Sequence, residues 1–240
     1  RVDLKRGGGE VHILGGGPAG LQLARFLGKL GIGARLYEEH GCVGLPQHCT
    51  SLVSLEGLRE HIRVSERRVV AHKVTGAWIV GPHGARMLIE RGSPVAVVLR
   101  RPALEEALLD EASKGAEVVL GQKLRPEALS GSFVVDARGV VSLIENHPRA
   151  ARYVLPALQY DVRVVDDCGG ERVFVFLGER FSRGLFAWAV PLSDGFYRVG
   201  LASRGNVLAR LNILLRKLPE LTGCLKPLER LRVYGGAVYT

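Results

Sequence analysis

Long hydrophobic runs are missing from these 240 residues. The longest, such as Val95–Leu99, fall far short of the about 20 apolar residues a membrane-spanning helix requires. No charged-then-apolar signal segment opens the chain. Cysteine is scarce and unpatterned: Cys42, Cys49, Cys168 and Cys224 form no C-x-x-C pair and no Cys/His ladder. The spacing therefore argues neither a structural zinc nor a disulfide framework, no metal site is expected, and a reducing cytoplasm is the expected setting. Side-chain amides are few, with 3 Asn and 4 Gln beside 26 Arg and 7 Lys, a balance that fits a hot-growing source. The chain opens at Arg1 and its one methionine is Met87, so a piece or processed form of a longer product is expected. Runs of five or more like charges are absent, and no basic stretch is interleaved with aromatics. The formal net charge of +9 thus points to anionic ligands or an anionic membrane face rather than to nucleic acid.

What is present is the composition of a globular chain, 47% hydrophobic and 24% charged, long enough for one large unit or two small ones. The strongest local pattern lies near the start. Val11, Ile13 and Leu14 read as a short strand, Gly15 to Gly20 as a tight turn, and Leu21, Ala24, Leu27 and Leu30 as one face of a helix ended by Gly31. Ala34, Leu36 and Tyr37 read as the next strand, which makes a β-turn-α-β unit and argues a parallel sheet. Residues 41–66 lose this periodicity, with a short helical stretch expected near Leu52 to Arg63. Val69 to Val80 and Met87 to Leu99 read as strands, Pro102 to Gly115 as a helix, and Val118 to Leu120 and Phe133 to Asp136 as strands. The second half changes character: Tyr153–Val165, Arg172–Leu177, Leu185–Val190 and Phe196–Leu201 are strand-like runs bounded by Gly, Pro and Asp, the mark of an antiparallel sheet. Leu208–Leu218 is an amphipathic helix and Leu231–Tyr239 a last strand.

Gly15, Gly17 and Gly20 meet the G-x-G-x-x-G spacing. The first glycine permits the turn, the second lets backbone approach a diphosphate, and the third lets helix pack on strand. The helix N-terminus behind them offers unpaired N–H groups and partial positive charge. Glu38, at the end of the second strand, is placed to accept both hydroxyls of an adenosine ribose and would repel a 2′-phosphate. The motif leaves FAD and NAD both open.

With Pro18-Ala19 filling the turn, Gly15–Gly20 and Glu38 resemble the FAD-binding opening of glutathione-reductase-like and aromatic-hydroxylase-like flavoproteins. Gly44-Leu45-Pro46-Gln47-His48-Cys49-Thr50-Ser51, Arg101-Pro102, Val135-Asp136-Ala137-Arg138-Gly139 and Phe186-Ala187-Trp188-Ala189-Val190-Pro191 narrow the likeness. They resemble the geranylgeranyl reductase family, from about residue 10 to the end. The resemblance implies an α/β chain (α+β as a whole): a Rossmann-like FAD domain over 1–68 and 100–150, an antiparallel-sheet substrate domain over 69–99 and 151–225, and a strand over 226–240 returning to the FAD domain. It implies an FAD-dependent oxidoreductase reducing C=C bonds of prenyl chains in archaeal membrane lipid synthesis. Its partners would be a prenyl lipid or prenyl diphosphate and an electron donor, and its place the cytoplasm, peripheral to the inner membrane face. Gly15, Gly17, Pro18, Ala19, Gly20, Glu38, Glu39, Gly44, Arg101, Val119, Ala137 and Gly139 would hold FAD. Cys49 is the candidate residue at the alkene, with His48, which the family does not require, as its proton relay, and Pro46, Phe186, Trp188 and Pro191 would wall the prenyl site.

The chain departs from that pattern in several places. Ser51 stands where the family has Gly, Arg138 where it has Thr, Phe186 for Tyr and Val190 for Phe. No Gly-Asp dipeptide occurs, whereas the family carries a G-D-A-A-G motif after the last strand. The expectation is a fragment, or a truncated relative that binds FAD poorly. A flavin-dependent aromatic hydroxylase and a non-catalytic nucleotide-binding protein are the alternatives. Each residue also has a plainer reading. Cys49 would be a buried thiol, Phe186 and Trp188 ordinary sheet core, and the 208–218 helix a domain-packing helix rather than a membrane-surface one. The pairs Asp166-Asp167 and Glu105-Glu106 are expected to be solvated.

Overall fold

In the computed structural model, which describes residues 10–129, 132–166, 168–193 and 195–240, the first half of the chain alternates strand and helix. It runs β1 (Val11–Leu14), α1 (Pro18–Lys29), β2 (Ala34–Glu38), β3 (Leu52–Ser54), α2 (Leu55–Gly57), α3 (Glu66–Val69), β4 (Val70–Val74), β5 (Gly76–Val80), β6 (Arg86–Glu90), β7 (Ala96–Leu99), α4 (Arg101–Ala112), β8 (Glu117–Leu120), β9 (Phe133–Asp136) and α5 (Val140–Asn146). The second half is nearly all strand: β10 (Val154–Val164), β11 (Arg172–Phe176), β12 (Ala187–Ser193), β13 (Phe196–Ala202), α6 (Val207–Thr222) and β14 (Pro227–Tyr239). Two units result. One takes the chain up to Gln47 with Val64–Val69 and Arg100–Arg149; the other takes His48–Arg63, Val70–Leu99 and Ala150–Thr240.

The first unit is built on a parallel sheet in the order β8-β2-β1-β9. Val11, Ile13 and Leu14 are fully buried in it, and α1 covers it with Leu21, Ala24 and Leu27. Pro18 opens α1, where its missing N–H costs nothing. Helix α4 opens in the same way, with Pro102 in its first turn, and buries Leu104, Ala107, Leu108 and Ala112.

The second unit holds a seven-stranded sheet, β14-β10-β13-β12-β11-β5-β6, and a three-stranded one, β3-β7-β4. Neighbours in the larger sheet are antiparallel except β11 and β5, which run parallel. Because strand side chains alternate, each strand serves two cores. Phe174, Phe176, Ala187, Ala189, Tyr197, Val199 and Leu201 pack with Leu211, Leu214 and Leu218 of α6. Val173 and Val190 on the other face pack with Val74 and Val98 of the small sheet, and Trp188 leans on this cluster. The apolar stripe of α6 is thus spent on its own sheet.

Several expectations are corrected here. Residues 226–240 pair with β10 along its length, from Val154↔Tyr239 to Val164↔Pro227, and so complete the second unit's sheet rather than returning to the first. The helical stretch expected near Leu52 to Arg63 is present over 55–62, as the single turn α2 and a wide helical turn, Leu58–Ile62, and only Leu52–Ser54 before it is strand, β3. Ser54 caps α2 by accepting the Gly57 N–H, and Arg63 ends the segment in the left-handed region at φ 55°. Cys168 and Cys224, 56 residues apart, form a disulfide between the turn after β10 and the turn after α6, with Cα atoms 5.5 Å apart. Sequence spacing gave no sign of it, because the pairing depends on two turns that the sheet brings together. Glu105 is 1% exposed and paired with Arg101 rather than solvated, while Glu106 is exposed. Asp166 is exposed and accepts the Cys168 N–H; Asp167 lies outside the described residues. No helix among the described residues is long and apolar enough to cross a membrane.

Candidate functional site

The glycine turn of the first unit is a backbone cradle. Gly15 has φ +106°, and a Cβ there would stand 2.7 Å from the Ala137 carbonyl oxygen; one on Gly20 would meet the Gly15 oxygen at 2.0 Å. Two carbonyls complete the junction, Gly15 N–H donating to Tyr37 and Ala137 N–H to Leu14. Gly17 differs: it has no neighbour within 4 Å of the position a Cβ would take. It is the N-cap of α1, with no side chain capping the helix and no acidic residue in its first turn, so the amides beyond it, Ala19 and Gly20, carry no intrahelical bond. An anion fits that open, donor-lined space.

Glu38 closes the cradle. Its buried carboxylate accepts the Gly16 N–H at 2.7 Å, and the His40 N–H at 2.9 Å with the His40 ring at 2.5 Å. Gly16 and His40 were not among the expected site residues. The signal for Gly16 is steric, because a Cβ there would crowd the Glu38 side chain at 2.9 Å. The cradle, the unpartnered amides and the acid are the residues an adenine dinucleotide diphosphate requires, and they fit FAD.

The remaining expected cofactor residues of this unit are less uniform. Glu39 turns outward to Lys123 at 2.6 Å, whose hydrogen bond holds the Glu39 carboxyl below the usual range. Val119 sits half-buried in β8 opposite Tyr37. Gly44, at φ +79°, lies against the Pro102 Cα, 2.7 Å from where its Cβ would be. The Arg101 guanidinium is engaged by Glu105 within α4. Pro46 is exposed. Gly139, at φ +69°, precedes α5. Arg138, the residue that departs from the family pattern, grips Asp136 through two guanidinium nitrogens at 2.9 and 2.6 Å and Glu145 at 2.7 Å. Burial alone would raise the Asp136 carboxyl, but hydrogen bonds from Arg138 and Ser142 outweigh it and leave it at about 2. The Arg138 guanidinium is correspondingly held above its ordinary value by Asp136 and Glu145.

In the second unit Cys49 is exposed, not buried, and its Sγ accepts the Ser51 N–H at 3.3 Å. Ser51 is itself buried and left-handed, φ 69°, with its hydroxyl donating to the Cys49 carbonyl at 3.2 Å. The geometry explains why a glycine suits this place. His48 Nδ1 lies 2.7 Å from the Gly235 carbonyl. A carbonyl only accepts, so Nδ1 is the donor in this bond. Phe186 and Trp188 share a face, edge to face at 6.2 Å, and Trp188 Nε1 reaches Gln159 Oε1 at 3.4 Å. Pro191 is buried and, by strand alternation, out of phase with them. A cavity of about 790 Å³ in this unit is lined by Leu52, Val74, Ala77, Ala96 and Val173 with Glu56 and Arg59 at its polar side. Phe186, Trp188 and Pro191 do not line it.

With this geometry in hand, the chain can be set beside known proteins. No family model matches it. It is 28% identical over 227 residues to the digeranylgeranylglycerophospholipid reductase of Thermoplasma acidophilum, covering 82% of this chain and 57% of that protein. To the enzyme of the same name from Methanosarcina acetivorans it is 24% identical over 225 residues, covering 82% of this chain and 55% of that one. Among solved structures, a geranylgeranyl bacteriochlorophyll reductase-like protein of T. acidophilum matches with a TM-score of 0.80 at 23% identity, over 96% of this chain and 66% of that one. A flavin-dependent halogenase matches at 0.61 and 20% identity, over 95% of this chain and 49% of that one. The chain therefore spans a little over half the length of the curated relatives it matches. The chain is thus similar in sequence to proteins named digeranylgeranylglycerophospholipid reductase, and its fold is that of the geranylgeranyl bacteriochlorophyll reductase-like protein and of the flavin-dependent halogenase.

Proposed function

We propose that this chain is the FAD-binding and substrate-sheet portion of an oxidoreductase that reduces C=C bonds of prenyl lipids. The observation that carries the reading is the Glu38 carboxylate bonded to Gly16 beside a Gly17 position with nothing within 4 Å. Ala19 and Gly20 N–H groups bind the diphosphate, and Glu38, with a lone pair left on the oxygen that accepts the Gly16 N–H, accepts a ribose hydroxyl. FAD, when bound and reduced, supplies the hydride. An unactivated alkene holds no site for the negative charge a lone hydride would leave, so a proton must arrive at the second carbon as the hydride reaches the first. Cys49 is the residue we assign to that proton. Its thiol is exposed, and the Ser51 N–H is already aimed at the sulfur that would carry charge after donation. His48, the neighbouring residue, is held through Nδ1 by the Gly235 carbonyl and is the side chain we assign to relay a proton to Cys49.

Purified protein should carry flavin absorbance or gain it on adding FAD. Reduced anaerobically, it should be reoxidised by a geranylgeranyl lipid, with two mass units gained per bond, and not by a phenol. Colourless protein that takes up no FAD defeats the reading; reoxidation by a phenol or halide with oxygen replaces it by hydroxylase or halogenase chemistry.

A further inference from the structure

The exposed segment that carries Cys49 has few apolar side chains to hold it, yet three successive carbonyls along it are taken by side chains of the seven-stranded sheet. Gln159 Nε2 donates to the His48 oxygen at 3.3 Å. Arg198 Nη1 donates to the Cys49 oxygen at 3.3 Å and the Thr50 oxygen at 3.5 Å. Thr50 Oγ1 in turn donates to Gln159 Oε1 at 2.9 Å.

The register of the sheet produces this. Asp161 stands directly opposite Arg198, and Gln159 opposite Gly200 and Tyr234. By alternation these residues share the face turned away from α6. Arg198 is 4% exposed, a burial a lone guanidinium does not tolerate. Asp161 meets it with both oxygens, at 2.6 and 2.9 Å, and Tyr234 lies beneath it at 4.6 Å while donating its own hydroxyl to Asp161 at 2.9 Å. The fork is thus fixed on one edge, and its third nitrogen is left pointing at the Cys49 loop. Gly200 makes room, since a Cβ there would stand 2.6 Å from the Gln159 Cβ and 2.8 Å from the Trp188 ring. A buried ion pair is a poor source of stability, so its value here is geometric.

We infer that Arg198, locked by Asp161 and Tyr234, acts with Gln159 as a positioning clamp that fixes the backbone of residues 48–50 and thereby the place of the Cys49 thiol. The inference rests on the reading of Cys49 as the proton donor. Arg198 touches no substrate; it acts through Cys49. Lysine cannot replace it, because one ammonium cannot satisfy a bidentate carboxylate and two carbonyls in a fixed plane.

Arg198→Lys, which keeps a cation beside Asp161 and so keeps the fold, tests the clamp in flavin-loaded protein. Amide exchange over residues 48–52 should quicken by about tenfold while β10 and β13 are unchanged. Prenyl turnover should lose kcat by about 10- to 100-fold with KM held, the scale of a misplacement of about 1 Å. In a Cys49→Ala background the same change should cost less than twofold. Gln159→Met should loosen the segment in the same way. Exchange that is unaltered at 48–52, or quickened equally in the sheet, overturns the clamp, as does a full cost of Arg198→Lys without Cys49. Absence of any prenyl turnover in the parent removes the proposed function but leaves the exchange result to decide the clamp.

Discussion

Ser51 shows how a single position can be misread as a departure when it is a compromise. Its backbone is left-handed, a conformation that costs a side-chain-bearing residue about 1 kcal/mol or more, and its hydroxyl returns part of that by bonding the Cys49 carbonyl. Ser51→Ala keeps the cost and loses the bond, so it should destabilise by about 1 kcal/mol. Ser51→Gly loses the bond but relieves the backbone and should be close to neutral, an ordering that urea unfolding of the two variants checks. Asp136 gives a second prediction. Its carboxyl sits at about 2 in the folded chain against 3.8 unperturbed, so the folded state binds the proton less readily than the unfolded one. The contribution is complete above pH 3.8 and disappears as pH falls toward 2. The stability gap between the parent and Asp136→Asn should therefore be flat above about pH 5 and close across that window; a gap constant down to pH 2 would contradict the Arg138–Asp136 geometry. Neither feature could be read from the letters. A left-handed φ and a side-chain pair two residues apart leave no periodic trace, whereas the glycine turn and Glu38 were legible because their spacing is itself the chemistry.

At the level of elements, the β1-α1-β2 unit was legible in full: the apolar alternation, the glycine punctuation and Pro18 all act within thirty residues. Strands β10 to β13 were legible as strands, though not the parallel pairing of β11 with β5, which is a long-range choice. The last strand was found but assigned to the wrong partner, because its ladder with β10 spans more than sixty residues of chain and no local pattern encodes it. The same distance hid the disulfide. Cys168–Cys224 closes a loop of 56 residues between two turns. In the chain-entropy account such a link withholds about 4 kcal/mol of freedom from the unfolded state. Reduction with a strong thiol, or Cys168→Ser with Cys224→Ser, should lower the unfolding free energy by up to that amount and leave flavin absorbance unaltered. Equal urea midpoints with and without reductant would show that the link contributes nothing.

For the molecule as a whole, the composition and the +9 charge stated only that anionic ligands are favoured, and the fold supplies the place for one. The field of the entire chain attracts any dinucleotide, so selectivity has to come from the cradle. There Glu38 is the group that would separate candidates by charge, since a carboxylate at this place accepts a ribose hydroxyl and repels a 2′-phosphate. A ligand that binds only the folded state stabilises it by about 2.7 kcal/mol at a hundred times its Kd, equivalent to roughly 5–10 °C in Tm for a chain of this size. FAD should therefore raise Tm by that order, ADP by less, and NADP⁺ hardly at all. Glu38→Gln, which presents an amide where three donors converge, should weaken FAD about tenfold or more and shrink the FAD shift, while narrowing the gap between FAD and the 2′-phosphorylated nucleotide. The two effects separate recognition by the acid from attraction by net charge. If Glu38→Gln left both shifts unchanged, the bulk charge of the chain, not the cradle, would be holding the nucleotide.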